Sequence, residues 1–327
     1  MGALSTADDR WMAAALALGE RGRGRTAPNP NVGCVLVRDG RVVGRGWTQP
    51  GGRPHAEAVA LAEAGEAARG ATAYVTLEPC AHVSPRGPAC SDLLVAAGVA
   101  RVVCALRDPD PRTAGGGFAR LQAAGISVAP GCGEKQARQA MAGFLMRQRL
   151  GRPHVTLKLA LSLDGAMALA DGRSRWITGP EARAHTHLER SRHEAILVGR
   201  GTLEADAPAL DVRLAGLEPR SPRRVLLSAG PDVPGWERIA APGDIAELHN
   251  VDHLMVEGGP ATAAAFLHAD LVDRLLLYRA PILVGGGRTL PAIGLDDLSE
   301  AHGRWRLADE RRLGNDHLHL YLRERKE

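Results

Sequence analysis

One histidine, one glutamate and two cysteines occur in the first half of the sequence at a spacing that suits metal chemistry. His55 and Glu57 lie in a Pro-His-Ala-Glu run, Cys80 ends a Thr-Leu-Glu-Pro-Cys run, and Cys90 follows ten residues later. An imidazole and two thiolates supply three ligands for tetrahedral zinc and leave the fourth position for water, as in catalytic zinc sites. Glu57 is near enough to His55 to carry protons without binding the metal.

The order of these residues, H-x-E followed by P-C, is typical of zinc deaminases. The cysteine spacing differs, because nine residues separate Cys80 from Cys90 where that motif has two. For each residue taken alone, a buried structural cysteine or a helix-capping histidine stays open as the alternative. The remaining cysteines have no such partners, and we interpret them as small buried hydrophobic residues: Cys34, Cys104 and Cys132.

Length and charge divide the chain into two different halves. At 327 residues it has about twice the length of a typical domain, which predicts two domains. Residues 1–150 carry 18 Lys and Arg against 12 Asp and Glu, whereas residues 151–327 carry 23 against 25. A basic first half favours an anionic substrate, either nucleic acid or a phosphorylated small molecule.

The composition also indicates in which cellular compartment the protein is expected. All five cysteines precede residue 133, and an odd number confined to one half argues against a disulfide framework. No apolar run approaches the ~20 residues that a membrane-spanning helix needs. Acidic residues precede the first apolar stretch, which argues against a secretion signal. We therefore expect a cytoplasmic protein without a membrane partner.

Alternating helix and strand patterns predict an α/β architecture with a largely parallel sheet in each half. Gly151-Arg152-Pro153 interrupts these patterns and predicts the domain boundary. In the first half we expect a hairpin turning at Asp39-Gly40 and helices over residues 6–20, 55–68, 91–97, 117–124 and 134–149. In the second half we expect helices over residues 181–192 and 261–269, and a strand that runs through the DRLLLYRAPILV segment.

Two features of the second half suggest binding. The Val256-Glu257-Gly258-Gly259-Pro260 run joins a strand to a helix, where free backbone N–H groups could hold a phosphate, although a plain tight turn stays open. Lys158 interrupts the apolar strand VTLKLALSL and points away from the side of Leu157 and Leu159. Its amine must line a cleft or lie on an exposed sheet edge, because burial without a partner is costly.

Longer stretches of the chain resemble the bifunctional deaminase/reductases of riboflavin biosynthesis. In the first half these stretches are APNPNVGCVLVRDGRVVG, PHAEAVAL, GATAYVTLEPCAH and AAGVARVVCALRDPDP. In the second half they are SLDGAMALADGRSRWITG, AILVGRGTLEADAPALDVR and VEGGP. The resemblance implies a cytidine-deaminase-like α/β/α sandwich over residues 1–150, a zinc-dependent pyrimidine deaminase. It implies a dihydrofolate-reductase-like α/β domain over residues 151–327, an NADPH-dependent reductase.

The activities implied are zinc-dependent hydrolytic deamination of a phosphoribosylamino-pyrimidine and NADPH-dependent reduction of its ribosyl group to ribityl. One Zn²⁺ per chain would be held by His55, Cys80 and Cys90, with Glu57 relaying the proton that lets ammonia leave. The partner implied is a phosphorylated pyrimidine small molecule, with no nucleic acid and no membrane, and a homo-oligomer stays open.

The resemblance also assigns binding residues. Those that hold the deaminase substrate are Asn29, His82, Arg86 and Asp108. Those that contact NADPH are Ala160, Trp176, Thr202, Asp206, Ser228 and Gly259. Those that contact the reductase substrate are Lys158, Ser174, Arg190, Leu210, Arg213 and Glu257.

Three departures from the family pattern accompany these assignments. The loop between His82 and Arg86 is one residue longer, and Thr48 stands where the family often has histidine. The segment between Ser228 and Val251 is short, so we expect it to trim one edge of the cofactor cleft. Two alternatives remain: a tRNA or nucleoside deaminase with an accessory domain, and a non-catalytic zinc-stabilised interaction protein.

Overall fold

A computed structural model describes residues 4–82 and 84–325 of the chain. They divide into two units, Met1–Leu150 and Gly151–Glu327, at the Gly-Arg-Pro interruption of the sequence pattern. Within the described residues, no helix is long and apolar enough to cross a membrane. Each unit is built on its own sheet.

The first unit is a five-stranded mixed sheet flanked by helices. Its strands are β1 (Gly33–Arg38), β2 (Arg41–Trp47), β3 (Thr72–Leu77), β4 (Arg101–Leu106) and β5 (Ser127–Pro130), in the spatial order β2-β1-β3-β4-β5. The β1–β2 hairpin turns at Asp39-Gly40 as predicted, and β3, β4 and β5 are parallel. The helices are α1 (Thr6–Gly19), α2 (Ala56–Ala64), α3 (Cys90–Ala97), α4 (Gly116–Ala123), α5 (Glu134–Ala140) and α6 (Ala142–Leu150).

The second unit has an eight-stranded sheet. Its strands are β6 (His154–Leu161), β7 (Ala195–Gly199), β8 (Arg223–Leu227), β9 (Glu237–Ile239), β10 (His253–Val256), β11 (Arg274–Arg279), β12 (Trp305–Leu313) and β13 (Asp316–Arg323). The spatial order is β12-β13-β11-β6-β10-β7-β8-β9, parallel from β11 to β9 and antiparallel at β12 and β13. The helices are α7 (Pro180–Arg190), α8 (Arg200–Asp206) and α9 (Pro260–His268).

Central strands of both sheets are buried along their whole length, as expected for strands covered on both faces. Every residue of β7 is buried, and so are five of the six residues of β1. Cys34 and Cys104 lie in such strands, and Cys132 is also buried, in agreement with their interpretation as core residues. The side chains that could do chemistry therefore lie at strand ends and helix starts, where the backbone leaves the core.

Several element boundaries differ from the sequence prediction. The helix expected over 55–68 ends at Ala64, because Gly65 takes a positive φ of 53° and a 3-10 turn follows. The helix expected over 134–149 is interrupted at the fully buried Met141, which leaves the helical conformation. The strand expected to continue through residue 284 ends at Arg279, just before Pro281, which has no N–H to donate to a sheet.

Other elements had no counterpart in the prediction. The β12–β13 hairpin, α8 and β9 are absent from it. The sequence of β12 contains so many charged residues that it lacks the apolar alternation typical of a strand. The short segment between Ser228 and Val251 still forms β9 and a 3-10 helix over Pro242–Glu247. The exposed-edge interpretation of Lys158 is wrong, because β6 lies between β10 and β11.

Close packing of α2 on β2 positions the helix that begins after His55. A Cβ atom added at Gly46 would lie 2.1 Å from the carbonyl oxygen of Ala56, and one at Gly44 would lie 2.2 Å from that of Ala60. Real Cβ atoms do not approach this closely, so both strand positions must be glycine for the helix backbone to rest on the strand. The start of α2 is thus fixed against β2 by backbone contact.

We predict that Gly46→Ala lowers the free energy of unfolding of the first unit by about 1–3 kcal/mol, because the added methyl group forces α2 away from β2. Gly243→Ala is the control, since a Cβ there meets nothing within 4 Å. Denaturant unfolding of both variants measures the difference. Equal stability of Gly46→Ala and wild type would contradict the packing described.

Candidate functional site

His55, Cys80 and Cys90 converge in the first unit. Their candidate ligand atoms all lie within 4.8 Å of one another. His55 is the N-cap residue of α2, Cys90 is the first residue of α3, and Cys80 follows the end of β3. His55 Nδ1 lies 3.3 Å from Cys90 Sγ and 3.6 Å from Cys80 Sγ. The sequence prediction that these three side chains meet is therefore matched by their positions.

The donor set fits zinc. Tetrahedral zinc with usual Zn–S and Zn–N bond lengths needs about 3.6 Å between sulfur and nitrogen ligands, close to the separations here. Cys80 Sγ accepts hydrogen bonds from the Cys90 thiol, which lowers the pKa of Cys80, and from the Cys90 backbone N–H at 3.3 Å. A low pKa favours the thiolate, the form that binds a metal.

Glu57 lies on the first turn of α2 beside these three residues. Only 3% of its surface is exposed. Burial raises the pKa of Glu57 to about 7, with the nearby Cys80 contributing in the same direction and His55 opposing it. A carboxyl group with a pKa close to neutral can both accept and donate a proton at physiological pH.

Asn29 and Arg86 both donate hydrogen bonds to the loop that precedes His55. The side-chain amide of Asn29 is 2.9 Å from His55 Nε2, and its nitrogen donates to the Gly52 carbonyl oxygen at 3.1 Å. Arg86 is exposed and donates to the Gly51 carbonyl oxygen at 3.2 Å. Thr48, where the family often has histidine, is buried, and its hydroxyl accepts from the Val32 N–H.

His82 and Asp108 are joined to the site through the loop between β4 and α4. A ring nitrogen of His82 lies 3.3 Å from the Thr113 hydroxyl. Asp108 is buried, and burial raises its pKa to about 6. Its carboxylate accepts from the Asp110 N–H at 3.0 Å. Loop residues from 108 to 113 thus lie on the same side of the first unit as Cys80.

Glu78 is a residue of this site that the sequence analysis did not single out. It lies two residues before Cys80, is 3% exposed, and its carboxylate accepts four backbone hydrogen bonds. The donors are the N–H groups of Asp108, Gly115, Gly117 and Phe118, at 2.9–3.2 Å. Glu78 therefore ties the Asp108 loop and the start of α4 to the chain that carries Cys80. The one sequence feature that could have indicated Glu78 is its position directly after the buried strand β3, where a carboxylate needs hydrogen-bond donors.

In the second unit, Arg190 and Glu257 form a two-pronged ion pair. Arg190 on α7 donates to both carboxylate oxygens of Glu257, at 2.7 and 2.9 Å, and to the Asp211 carbonyl oxygen at 2.9 Å. Burial of Glu257 would raise its pKa, but the Arg190 charge outweighs this and lowers it. The pair brings α7, the end of β10 and the Leu210–Asp211 loop together.

Lys158 projects from β6 toward this ion pair. Its Nζ atom lies 5.9 Å from the ring centre of Tyr278, whose hydroxyl is 2.8 Å from His185 Nδ1. Burial lowers the pKa of Lys158, while the Glu257 charge acts in the opposite direction. Ala160 lies two residues further along β6, on the same face of the sheet. The amine therefore projects from an interior strand of the sheet and not from an edge.

Four of the six residues assigned to the cofactor lie after the carboxyl ends of β10, β7 and β8. The Gly259 N–H donates to the Thr202 hydroxyl at 3.1 Å, which joins the start of α9 to α8. Ser228 follows β8, and its hydroxyl accepts from Arg200 at 2.6 Å. Asp206 ends α8, where its carbonyl oxygen accepts from Arg175. The adjacent Trp176 is 67% exposed, with the Arg183 guanidinium 4.8 Å from its ring centre.

Arg213 and Ser174, which the resemblance assigns to the reductase substrate, make no hydrogen bond or ion pair with Arg190 or Glu257 among the described residues. Arg213 is exposed and pairs with Asp211 at 2.9 Å. Ser174 lies on the loop between β6 and α7, and the described residues include no hydrogen-bond partner for its side chain. Leu210 is 4% exposed and has a positive φ of 55°. The remaining reductase residues meet through the Arg190–Glu257 pair.

Family models match both units. Residues 5–106 match the cytidine and deoxycytidylate deaminase zinc-binding region, and residues 153–319 match the RibD C-terminal domain. The chain thus combines a deaminase domain with a reductase domain, and the predicted fold class is confirmed: a cytidine-deaminase-like α/β/α sandwich followed by a dihydrofolate-reductase-like α/β domain.

Whole-chain relatives narrow this class. The riboflavin biosynthesis protein RibD of Escherichia coli is 43% identical over 94% of this chain and 97% of its own length, and that of Mycobacterium tuberculosis is 42% identical over 90% and 91%. The structure of Acinetobacter baumannii RibD superposes with a TM-score of 0.88 at 35% identity, covering 98% of this chain and 99% of that one. The chain belongs to the RibD family, the bifunctional deaminase/reductases of riboflavin biosynthesis.

We predict that Glu78→Gln destabilises the first unit by about 1–3 kcal/mol, because the amide NH₂ faces backbone N–H donors and leaves them unsatisfied. Glu134→Gln is the control, since Glu134 is exposed and pairs with Arg138 within one helix. Thermal unfolding of the two variants measures the effect. Coincident unfolding curves for Glu78→Gln and wild type would show that the four hydrogen bonds contribute nothing.

Proposed function

We propose that the first unit deaminates a phosphoribosylamino-pyrimidine with a zinc ion held by His55, Cys80 and Cys90. The observation that carries this proposal is the convergence of one imidazole and two thiols within 4.8 Å beside a buried carboxyl group. When bound, zinc supplies a water molecule activated for attack on the amine-bearing ring carbon. A purely structural zinc site is less well supported, because it would have a fourth protein ligand, and the metal-ligating group found among the described residues has three.

Glu57 is the proton carrier of this reaction. It accepts a proton from the attacking water and delivers one to the departing nitrogen, which leaves as ammonia. The position of Glu57 supports this role, because its buried side chain lies on the first turn of α2, two residues after the proposed zinc ligand His55. Burial excludes bulk water from the carboxyl group and keeps the proton on the reacting atoms.

Four side chains around this centre are proposed to hold the substrate. Asp108 is buried, and its backbone N–H donates to Glu78, whereas Asn29 is partly buried against His55. Arg86 is exposed, and a permanently charged guanidinium suits a phosphate group. His82 is partly buried on the loop after Cys80. A phosphorylated small molecule, not nucleic acid, accounts for the basic excess of residues 1–150.

We propose that the second unit reduces the ribosyl group of the deaminated product with NADPH. When bound, NADPH would supply the hydride that reduces C1′ of the ring-opened ribose. Contacts with the cofactor are proposed for Ala160, Trp176, Thr202, Asp206, Ser228 and Gly259. No side chain caps the first turn of α9 after Gly259, so its backbone N–H groups are available to a pyrophosphate. Gly258 must be glycine, because a Cβ there would lie 2.4 Å from Thr262.

The substrate of this second reaction is proposed to contact Lys158, Ser174, Arg190, Leu210, Arg213 and Glu257. Arg190 and Glu257 neutralise each other, so their pair holds a fixed geometry without adding net charge. Lys158 adds one positive charge to the same cleft, which suits a ligand with a phosphate or a carbonyl oxygen. Its amine is a hydrogen-bond donor placed on the face of the sheet that carries Ala160.

Glu57→Gln tests the deaminase. The variant keeps all three metal ligands, so we expect one zinc per chain and a fall in the deamination rate of about 10²–10⁴-fold, since an amide does not take up and release a proton near neutral pH. The matched control is Glu63→Gln on the same helix, where Glu63 pairs with Arg45 at the surface. Zinc content and ammonia release are measured together. A zinc-loaded, folded Glu57→Gln protein that deaminates at the wild-type rate would remove Glu57 from the mechanism.

Lys158→Met tests the reductase cleft. Losing a charge-assisted hydrogen bond lowers kcat/KM for the deaminated substrate by about 10- to 100-fold, whereas the Kd of NADPH changes little because the amine faces the substrate. Lys135→Met, an exposed lysine of α5, is the control. NADPH oxidation and NADPH binding are measured separately. If Lys158→Met reduces the substrate with wild-type kcat/KM, the amine has no part in substrate binding.

A further inference from the structure

Arg200, the first residue of α8, lies among the proposed cofactor residues but was not one of them. Its Nε–H donates to the Ser228 hydroxyl at 2.6 Å, and one Nη2–H donates to the Pro231 carbonyl oxygen. A guanidinium carries five N–H donors. Three donors of Arg200 therefore have no hydrogen-bond partner within the part of the chain that the structure describes, and the side chain is partly exposed.

The hydrogen bonding of Ser228 leaves a further donor at the same place. Its Oγ atom accepts from Arg200 Nε–H and from the Gly230 N–H at 3.0 Å. A hydroxyl oxygen has two acceptor sites and one proton, so both acceptor sites are filled. The Ser228 proton must then be donated to another group, and among residues 4–82 and 84–325 no acceptor is found for it. Ser228 and Arg200 together present several donors with no acceptor.

The charge of Arg200 is also uncompensated. No carboxylate of the described residues lies within ion-pair distance of its guanidinium. The neighbouring Arg238 differs, since it pairs with Asp232 at 2.5 Å and donates to the Ser228 carbonyl oxygen at 3.2 Å. A positive charge held in place by Ser228, with outward N–H groups and no counter-ion, suits a phosphate.

The position along the sheet indicates which phosphate this is. Gly259, Arg200 and Ser228 follow the neighbouring strands β10, β7 and β8 in that spatial order. The proposed substrate contact Lys158 lies on β6, on the other side of β10, so a dinucleotide whose nicotinamide meets the substrate there and whose pyrophosphate lies at the start of α9 would extend its adenosine half toward β8. NADPH and NADH differ by the phosphate on the 2′-oxygen of the adenosine ribose. We infer that Arg200, oriented by Ser228, binds this 2′-phosphate and sets the preference for NADPH over NADH, which rests on the proposed reductase function.

Binding of adenosine fragments to the full chain tests this inference without turnover. Calorimetric titration compares adenosine 2′,5′-bisphosphate with adenosine 5′-monophosphate, which differ by the 2′-phosphate. We expect Arg200→Met to weaken the bisphosphate by about 10- to 100-fold, the loss of charge-assisted hydrogen bonds. The monophosphate should change by less than about twofold, which also shows that the variant is folded. The ratio of kcat/KM for NADPH over NADH should fall by the same factor.

Arg238→Met is the matched control, because it removes a neighbouring arginine that already has a carboxylate partner. It should leave the bisphosphate-to-monophosphate ratio unchanged. The inference is overturned if Arg200→Met keeps the wild-type ratio, or if Arg238→Met lowers the ratio as much as Arg200→Met. If the wild-type protein binds NADPH and Arg200→Met leaves the affinity for the bisphosphate unchanged, only this inference is overturned. A wild-type protein that binds neither NADPH nor the bisphosphate overturns the NADPH reductase proposal with it.

Discussion

Two thiols and one imidazole within 4.8 Å of one another are the constraint on which the first unit depends. They come from three separate places, the start of α2, the chain after β3 and the start of α3, and each place is fixed by a different contact. Backbone packing at Gly44 and Gly46 holds α2 on β2, and the Cys90 N–H to Cys80 sulfur hydrogen bond holds α3 against the chain after β3. Glu78 adds the loop with Asp108 to the same assembly. The buried carboxyl group of Glu57 gains its raised pKa from this arrangement, because close packing removes water from it.

The role of the second unit is different. The proposed cofactor carries the reactive group, so the protein has to bind and orient it. The strand ends of β10, β7 and β8 supply backbone groups, small residues and hydroxyls, while several buried charged side chains of this unit form ion pairs. Arg190 and Glu257 are one such pair, because the guanidinium donates two hydrogen bonds to the carboxylate. Lys158 and Arg200 form no ion pair with a carboxylate of the described residues, and they lie at the two places where a phosphorylated ligand is proposed to bind.

Residue type and spacing were sufficient to predict that His55, Cys80 and Cys90 come together beside Glu57, because each of these side chains has the chemistry expected of a zinc site. The same reasoning could not find Glu78, whose importance comes from four N–H groups that lie 30 to 40 residues further along the chain. Arg200 was missed for a similar reason, since its contact with Ser228 joins the ends of two strands. The β12–β13 hairpin was missed because exposed, charged strands such as β12 lack the apolar alternation that predicts a strand. The sequence left Lys158 either in a cleft or on an exposed sheet edge, and the strand order was needed to exclude the edge.

The central claim is that the two units act in a fixed order, deamination first and reduction second. The most direct measurement follows ammonia and NADPH together after the diamino phosphoribosylamino-pyrimidine is mixed with the wild-type chain. The account predicts that ammonia is released whether or not NADPH is present, and that NADPH is then oxidised after a lag, one molecule for each ammonia. NADPH oxidation that begins at full rate before any ammonia appears would contradict the account.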